Sequence, residues 1–435
     1  MNQINLVEVY LWGTRIGVAR WDSELEYAEF QYDKSFVESG IQVAPIMMPL
    51  SNRVFSFKDL DRQSFKGLPG FLADSLPDKF GNKLIEEWLV RQGRAINTFT
   101  PVERLCYIGK RGMGALEFAP VKNMFKNIDD TVAVEAMVKL ASEIISGKKN
   151  KSASTQEDSA LSQIFMIGTS AGGARAKCLV AYNEITGEMR SGQIDNEEGF
   201  TYWLLKLDGV DGNSDKEDPD PQGYSKIEYA YFLMAKDCGI EMSISKLLPE
   251  GRRTHFMTKR FDRLPGGAKV HMQSLCAIAH YDFNYAGAYS YEQAIDVINK
   301  IVEPTKRVKA REQLFLRAVF NVVGRNQDDH TKNIAFLMDK DGRWRLAPAY
   351  DMIYSYNPKG EWTSRHQMMI NGKRANFTRE DLLKLASFAG IKKIKANKMI
   401  DNTSSVFSEW ESYASKAGVD DAFISSSNEN LLLKI

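Results

Sequence analysis

The 435-residue chain carries 57 Lys and Arg against 56 Asp and Glu, so its net charge of +1 excludes a globally basic nucleic-acid binder and an acidic tail protein. With 43% hydrophobic and 26% charged residues it has apolar surface enough for a real core, and disorder is excluded for most of the chain. At about 150 residues per domain this length predicts roughly three compact units.

Residues 5–32 alternate as short strands: Asn5 to Trp12, a turn at Gly13, Ile16 to Trp21, then Ala28 to Tyr32. This start has no basic leader, and nowhere do 18 or so apolar residues run together, so neither export nor membrane insertion is expected. From Phe71 to Arg94 the apolar spacing is helical, and Thr131 to Ile145 reads as a second amphipathic helix. Residues 147–160 are polar and poor in aromatics, the composition of a linker and domain boundary. Strands return at Lys177 to Tyr182 and Tyr202 to Leu207, followed by an acidic, proline-containing loop from Asp208 to Gln222. Helical spacing from Ile227 to Cys238 precedes a strand from Thr254 to Phe261. The remainder reads as mainly helical, interrupted by one hairpin, Ile334 to Met338 and Arg343 to Leu346 around the turn 339–342. Thr378 is the expected N-cap of a helical C-terminal stretch. The four cysteines form no CxxC pair and read as reduced, buried thiols of a cytoplasmic protein, and the five histidines lack metal-ligand spacing.

Four segments carry chemistry. Gly168 to Lys177 is rich in Gly172, Gly173, Ala174 and other small residues that let backbone N–H groups approach phosphates, with Ser170 beside them; a flexible turn is the alternative. Lys206 lies within an apolar strand, where an ammonium requires an anionic partner such as phosphate, and Glu228 at the head of the next helix would orient it. The alternative is an edge lysine with its amine in solvent. Asp328 and Asn333 have the D-x-x-x-x-N spacing of a phosphotransferase loop, in which the aspartate accepts the attacking hydroxyl's proton and the asparagine helps hold Mg²⁺; the alternative is a solvated turn. Asp351, among apolar residues, suits a second metal ligand, with a helix N-cap as the alternative. Their order along the chain is the one a single phosphoryl-transfer mechanism requires.

These segments resemble the HipA family of serine/threonine kinases, the toxins of bacterial toxin–antitoxin pairs. The carriers are Ser170 to Lys177, Leu205-Lys206-Leu207, Glu228-Tyr229, Lys259 to Arg263, Asp328 to Asn333 and Pro348 to Met352, joined in the N-terminal half by Ala73 to Asp78 and Gly112 to Glu117. The resemblance implies an α+β, two-lobed protein-kinase-like fold, with an N-terminal subdomain at 1–146, an ATP-binding lobe at 147–262 and a helical catalytic lobe at 263–435. It implies ATP and Mg²⁺ as cofactors, Lys206 on phosphates with Gly172, Gly173, Ala174 and Lys177 around them, and Lys259, Arg260 and Phe261 along the adenine pocket. Asp328 would be the base, Asn333 and Asp351 the metal ligands, and His330 near the nucleotide. Ser170 would be autophosphorylated, which switches the kinase off. The implied partners are a HipB-like helix-turn-helix antitoxin, through which DNA is reached indirectly, and a protein substrate, aminoacyl-tRNA synthetases being targets in the family. Asp329 stands where many relatives carry glycine, so it competes as metal ligand or base, and Lys259 replaces an acidic residue of some members. Two other functions fit the residues: a catalytically silent nucleotide-binding co-repressor, and a metal-dependent hydrolase built on Asp328, Asp329 and His330.

Overall fold

The structure is a computed structural model and describes residues 4–77, 79–121, 134, 138, 176–192, 198–210 and 223–435. The expected helix at 131–145 apart from residues 134 and 138, the linker at 147–160, the glycine-containing loop with Ser170, Gly172, Gly173 and Ala174, and most of the acidic loop at 208–222 lie outside the described residues. The chain divides into two compact units, one comprising residues 1–222, 248–273 and 340–342, the other 223–247, 274–339 and 343–435.

In the first unit, β1 (Leu6–Leu11), β2 (Thr14–Asp22), β3 (Tyr27–Tyr32), β4 (Val54–Phe55) and β5 (Leu116–Ala119) form a five-stranded sheet in the order β4-β3-β2-β1-β5, antiparallel throughout. Short helices α1 (Lys34–Val37), α2 (Arg62–Phe65) and α3 (Gly70–Ala73) precede α4 (Lys79–Arg91) and α5 (Pro101–Ile108). The continuous helical reading from Phe71 is thereby corrected. Pro77 follows α3, and proline removes a helix-interior N–H and disfavours helical backbone before it, so the run is broken between α3 and α4. A second sheet contains β6 (Lys177–Asn183), β7 (Met189–Ser191), β8 (Phe200–Lys206), β9 (Ser245–Glu250, in this unit from Leu248 on) and β10 (Arg253–Lys259) in the order β7-β6-β8-β10-β9. Leu84, Trp88 and Leu89 of α4 and Tyr107 of α5 share one core with Cys178, Val180, Trp203, Leu205 and Met257, so one face of this sheet is sealed by helices. A further strand, β11 (His271–Ser274), appears where the sequence read only helix.

The second unit is built on α6 (Tyr224–Asp237), α7 (Leu275–Ala279), α8 (Tyr291–Ile301) and α9 (Arg307–Val323), the hairpin β12 (Ala335–Met338) and β13 (Trp344–Leu346), and α10 (Arg379–Phe388), α11 (Lys393–Ser408), α12 (Trp410–Ala417) and α13 (Asp421–Asn428). From Leu314 to Val323 every residue of α9 is buried, which makes it the axis of the unit. Tyr231 of α6 packs edge-on against Phe320, Phe407 and Trp410, and its hydroxyl donates to the Gly324 carbonyl at 2.6 Å. Phe407 occupies the space a side chain at position 324 would need, so glycine is the residue that can close α9 there. Thr378 caps α10, as the sequence predicts, and the structure completes a capping box with Asp381.

Candidate active site

The first unit sets two lysines face to face. Lys177 stands directly opposite Lys206 in the β6–β8 ladder, and Lys206 opposite Phe256 in β8–β10. Directly opposed residues share a sheet face, so these three project away from the face that carries Cys178, Trp203 and Leu205. The edge-strand reading of Lys206 is overturned: β8 is the central strand, and Lys206 is 8% exposed and Lys177 3%. The Lys206 ammonium lies 5.9 Å from the centre of the Phe256 ring. Like charges directly opposite repel, and an anion between them relieves that repulsion.

Lys259 ends β10 opposite Trp203, and Phe261 is half-buried beyond it. Arg260 has a structural task that sequence reasoning missed. Its backbone N–H is spent on the Tyr202 carbonyl at 2.8 Å, and its buried guanidinium grips Asp262 through two bonds of 2.9 and 2.7 Å. Arg263 adds a third at 2.7 Å, and the Gly114 N–H a fourth at 2.7 Å, while Arg263 also donates to the carbonyls of Gly112 and Gly114. Burial alone would raise the Asp262 carboxyl, but Arg260 and Arg263 outweigh it and hold the group well below the usual carboxylate range. Burial pushes Arg263 itself down to about 10.

In the second unit, Glu228 is 3% exposed on α6. The loop Asn326–Asn333 leaves α9 through Gly324 and through Arg325, which has φ +54°. It is laced to the following segment by backbone: Ser355 N–H donates to the Arg325 carbonyl at 3.0 Å, and Gln327 N–H to the Ser355 carbonyl at 3.2 Å. The Asn326 amide donates to Asn321 at 2.9 Å and to the Asp351 carbonyl at 3.4 Å. These bonds fix Asp351 beside the loop. Asp351 has φ +52°, a conformation Asp tolerates better than most residues, and no helix follows it, so the N-cap alternative is overturned. The Asn333 amide turns back onto the Asp328 carbonyl at 2.8 Å, and His330 Nε2 lies 3.8 Å from Asp328 Oδ1. Asn326, His330, Asn333 and Asp351 line one cleft with Arg317, a buried arginine of α9 that donates to the Ala347 carbonyl at 2.7 Å. Burial pushes Arg317 down to about 10.

Asp329 behaves differently from its neighbour. Its Oδ1 accepts the Gln367 N–H at 2.7 Å, and its Oδ2 accepts the Tyr291 hydroxyl and faces His366 Nδ1, both at 2.9 Å. A carboxylate so engaged anchors the loop and is a poor competitor as base or metal ligand. The Asp328 carboxylate is 42% exposed and accepts the Trp362 indole N–H at 2.6 Å. Among the described residues no three of His, Cys, Asp or Glu converge as a metal site. Asn333 and Asp351 fit Mg²⁺ as a pair completed by ligand oxygens and water, the donor set this ion prefers. Trp362, His366, Gln367 and Arg317 carry no spacing signal in the sequence; only the fold brings them to the loop.

Two family models cover most of the chain: the HipA N-terminal domain over residues 7–119 and the HipA-like C-terminal domain over residues 169–410. The chain belongs to the HipA family. Its α+β fold is that of Shewanella oneidensis HipA, solved in a complex with HipB and operator DNA, with a TM-score of 0.68 and 17% identity over 98% of this chain and 96% of that one. A Haemophilus influenzae protein provisionally assigned as a kinase is 26% identical over 150 residues; the match covers 31% of this chain and 43% of that protein's length. The sequence-based resemblance to HipA is thus established over both halves. No helix of the described residues is long and apolar enough to cross a membrane.

Proposed function

We propose that this HipA-family chain is an ATP- and Mg²⁺-dependent protein serine/threonine kinase acting as the toxin of a toxin–antitoxin pair. The observation that carries the reading is the second unit's loop, where an accessible Asp328 sits beside Asn333 and His330 while backbone pairing brings Asp351 alongside. Bound Mg²⁺–ATP would supply the transferable phosphoryl group. Asp328 accepts the proton of the substrate hydroxyl, Asn333 and Asp351 hold the metal, and His330 stands near the nucleotide. Lys206 and Lys177 pair with phosphate oxygens, and the loop carrying Gly172, Gly173 and Ala174 would offer backbone N–H groups. Lys259, Arg260 and Phe261 border the adenine.

Ser170 is the proposed autophosphorylation site; a phosphate there would set a doubly charged group beside a phosphate-binding site and switch the enzyme off. A small helix-turn-helix antitoxin of the HipB kind is the proposed partner, in analogy with the Shewanella complex, and it would carry the DNA contact. A cellular protein, with aminoacyl-tRNA synthetases as the first candidates, is the proposed substrate.

One experiment tests the reading. Purified chain incubated with labelled ATP and Mg²⁺ transfers label to itself, with Ser170 as the mapped site, and to a lysate protein; Asp328→Asn lowers the rate by about 10²- to 10⁴-fold at an unchanged melting temperature. Binding of ATP without transfer by the wild type would replace this reading with a silent co-repressor. Free phosphate release without a phosphoprotein would point to a hydrolase.

A further inference from the structure

Trp362 stands in the segment that follows Asp351, and no part of the proposed chemistry uses it. Its indole N–H donates to Asp328 Oδ1 at 2.6 Å, a short bond to the one carboxylate of the loop that is open to solvent. Three features show that this contact is built. The Gln367 side-chain amide donates to the Arg365 carbonyl at 3.0 Å and the Gln327 carbonyl at 3.1 Å, and also to the carbonyl of Trp362 itself. The Gln367 backbone N–H and His366 are both committed to Asp329, the residue next to Asp328. His366 and Gln367 are 1% and 3% exposed, so the anchor of the Trp362 segment lies inside the fold. The position of the indole is therefore tied to the catalytic loop through Gln327 and Asp329, on both sides of the residue it contacts. A side chain meant to leave when substrate arrives would not be held in this way.

We propose that Trp362 is a positioning residue for Asp328: its N–H occupies Oδ1 and fixes the rotation of the carboxylate, which leaves Oδ2 to meet the hydroxyl of the protein substrate. The proposal rests on the reading of Asp328 as the base. An aspartate with a free χ2 samples both oxygens and many orientations, whereas one held by a single well-directed donor presents one oxygen in one direction. Nucleotide binding draws on none of these contacts, so the effect belongs to turnover.

Trp362→Phe keeps the aromatic plane and deletes the donor; Trp362→Ala deletes both. With the full chain, labelled ATP and a protein substrate, Trp362→Phe lowers kcat about tenfold, the worth of one hydrogen bond to a charged group, with KM for ATP within about twofold of wild type and an unchanged melting temperature. Trp362→Ala loses little more. In the nitrogen-15 spectrum of the free protein, Trp362→Phe identifies the indole signal, which lies downfield in the wild type and moves upfield in Asp328→Asn. Full kcat in Trp362→Phe together with loss in Trp362→Ala would show that only packing matters and overturn the proposal. So would an indole signal indifferent to Asp328→Asn. A wild type that transfers no phosphate overturns the kinase reading, and an Asp328→Asn variant that transfers at the wild-type rate overturns Asp328 as the base; either takes the catalytic half of the proposal with it, while the indole signal still decides the contact.

Discussion

Lys206 shows how a single position changes meaning between sequence and structure. Within Tyr202-Trp-Leu-Leu-Lys-Leu it reads equally as a phosphate ligand or as an edge lysine with its amine in water. The structure removes the second choice by setting β8 in the middle of its sheet and placing Lys177 directly opposite. A ligand that pairs with these ammonium groups stabilises the folded chain by mass action, and this yields a test of ligand class without any turnover. Lys206→Met, close in shape and uncharged, abolishes most of the upward shift in melting temperature that ATP with Mg²⁺ gives the wild type. A variant that keeps the full nucleotide shift contradicts phosphate contact by this lysine. Asp328 and Asp329 make the same point in reverse: adjacent in sequence and alike in charge, they differ because one is open to solvent and the other is enclosed by Tyr291, His366 and Gln367.

Elements near the site are locked by polar contacts that periodicity does not reveal. Arg260, Asp262 and Arg263 follow β10 and reach back to the Gly112–Gly114 turn before β5, two segments separated by about 150 positions and joined by one carboxylate. The sequence offers Arg-Phe-Asp-Arg as a family signature; its physical reason is this buried ion group, in which Asp262 is fully enclosed. Removing the charge strands two guanidinium groups. Asp262→Asn is expected to cost about 3 to 5 kcal/mol, measured as a fall in urea midpoint at constant slope. A loss below about 1 kcal/mol would place the network at the surface in energetic terms. By contrast, α10 was legible outright, because a capping box is local chemistry: Thr378 and Asp381 satisfy each other's backbone N–H groups whatever surrounds them.

For the whole molecule, pH gives each unit a reporter. His271 in the first unit is fully buried, and its Nε2 accepts from the Gln273 amide at 2.8 Å, an amide also committed to the Val43 carbonyl at 2.6 Å. Burial pushes His271 down to about 3, and His280 in the second unit down to about 4. Both therefore remain neutral in the folded chain where the unfolded chain protonates near pH 6.5. Below that value the unfolded state binds more protons, so stability is complete above pH 6.5 and falls as pH drops toward 4. The expected loss is about 2 kcal/mol per histidine between pH 6.5 and 5. Asp262 adds nothing in this window, because its depressed carboxyl withdraws stability only below the ordinary range near pH 4. A urea midpoint flat from pH 7.5 to 5, or restored by neither His271→Gln nor His280→Gln, would contradict this assignment.

While the short or edge strands β4, β5, β7 and β9 escaped it, the sequence by itself determined β1, β2 and β3 of the first sheet, β6, β8 and β10 of the second, the β12–β13 hairpin, the helical C-terminal stretch and the family. Each of these rests on short-range information: alternation, 3.6-residue spacing, caps, turn residues and contiguous motifs. It also put Asp328 and Asn333 in one loop, since six residues cannot separate far. Only the tertiary structure decided what each charged group faces. The burial of Lys206, the anchoring of Asp329, the reach of Arg260 to Gly112 and the approach of Trp362 to Asp328 all depend on partners 29 to 148 positions away, Lys177 and Gly112 among them. Such contacts arise from packing, where the requirement to satisfy every buried polar group selects partners with no regard to their distance along the chain.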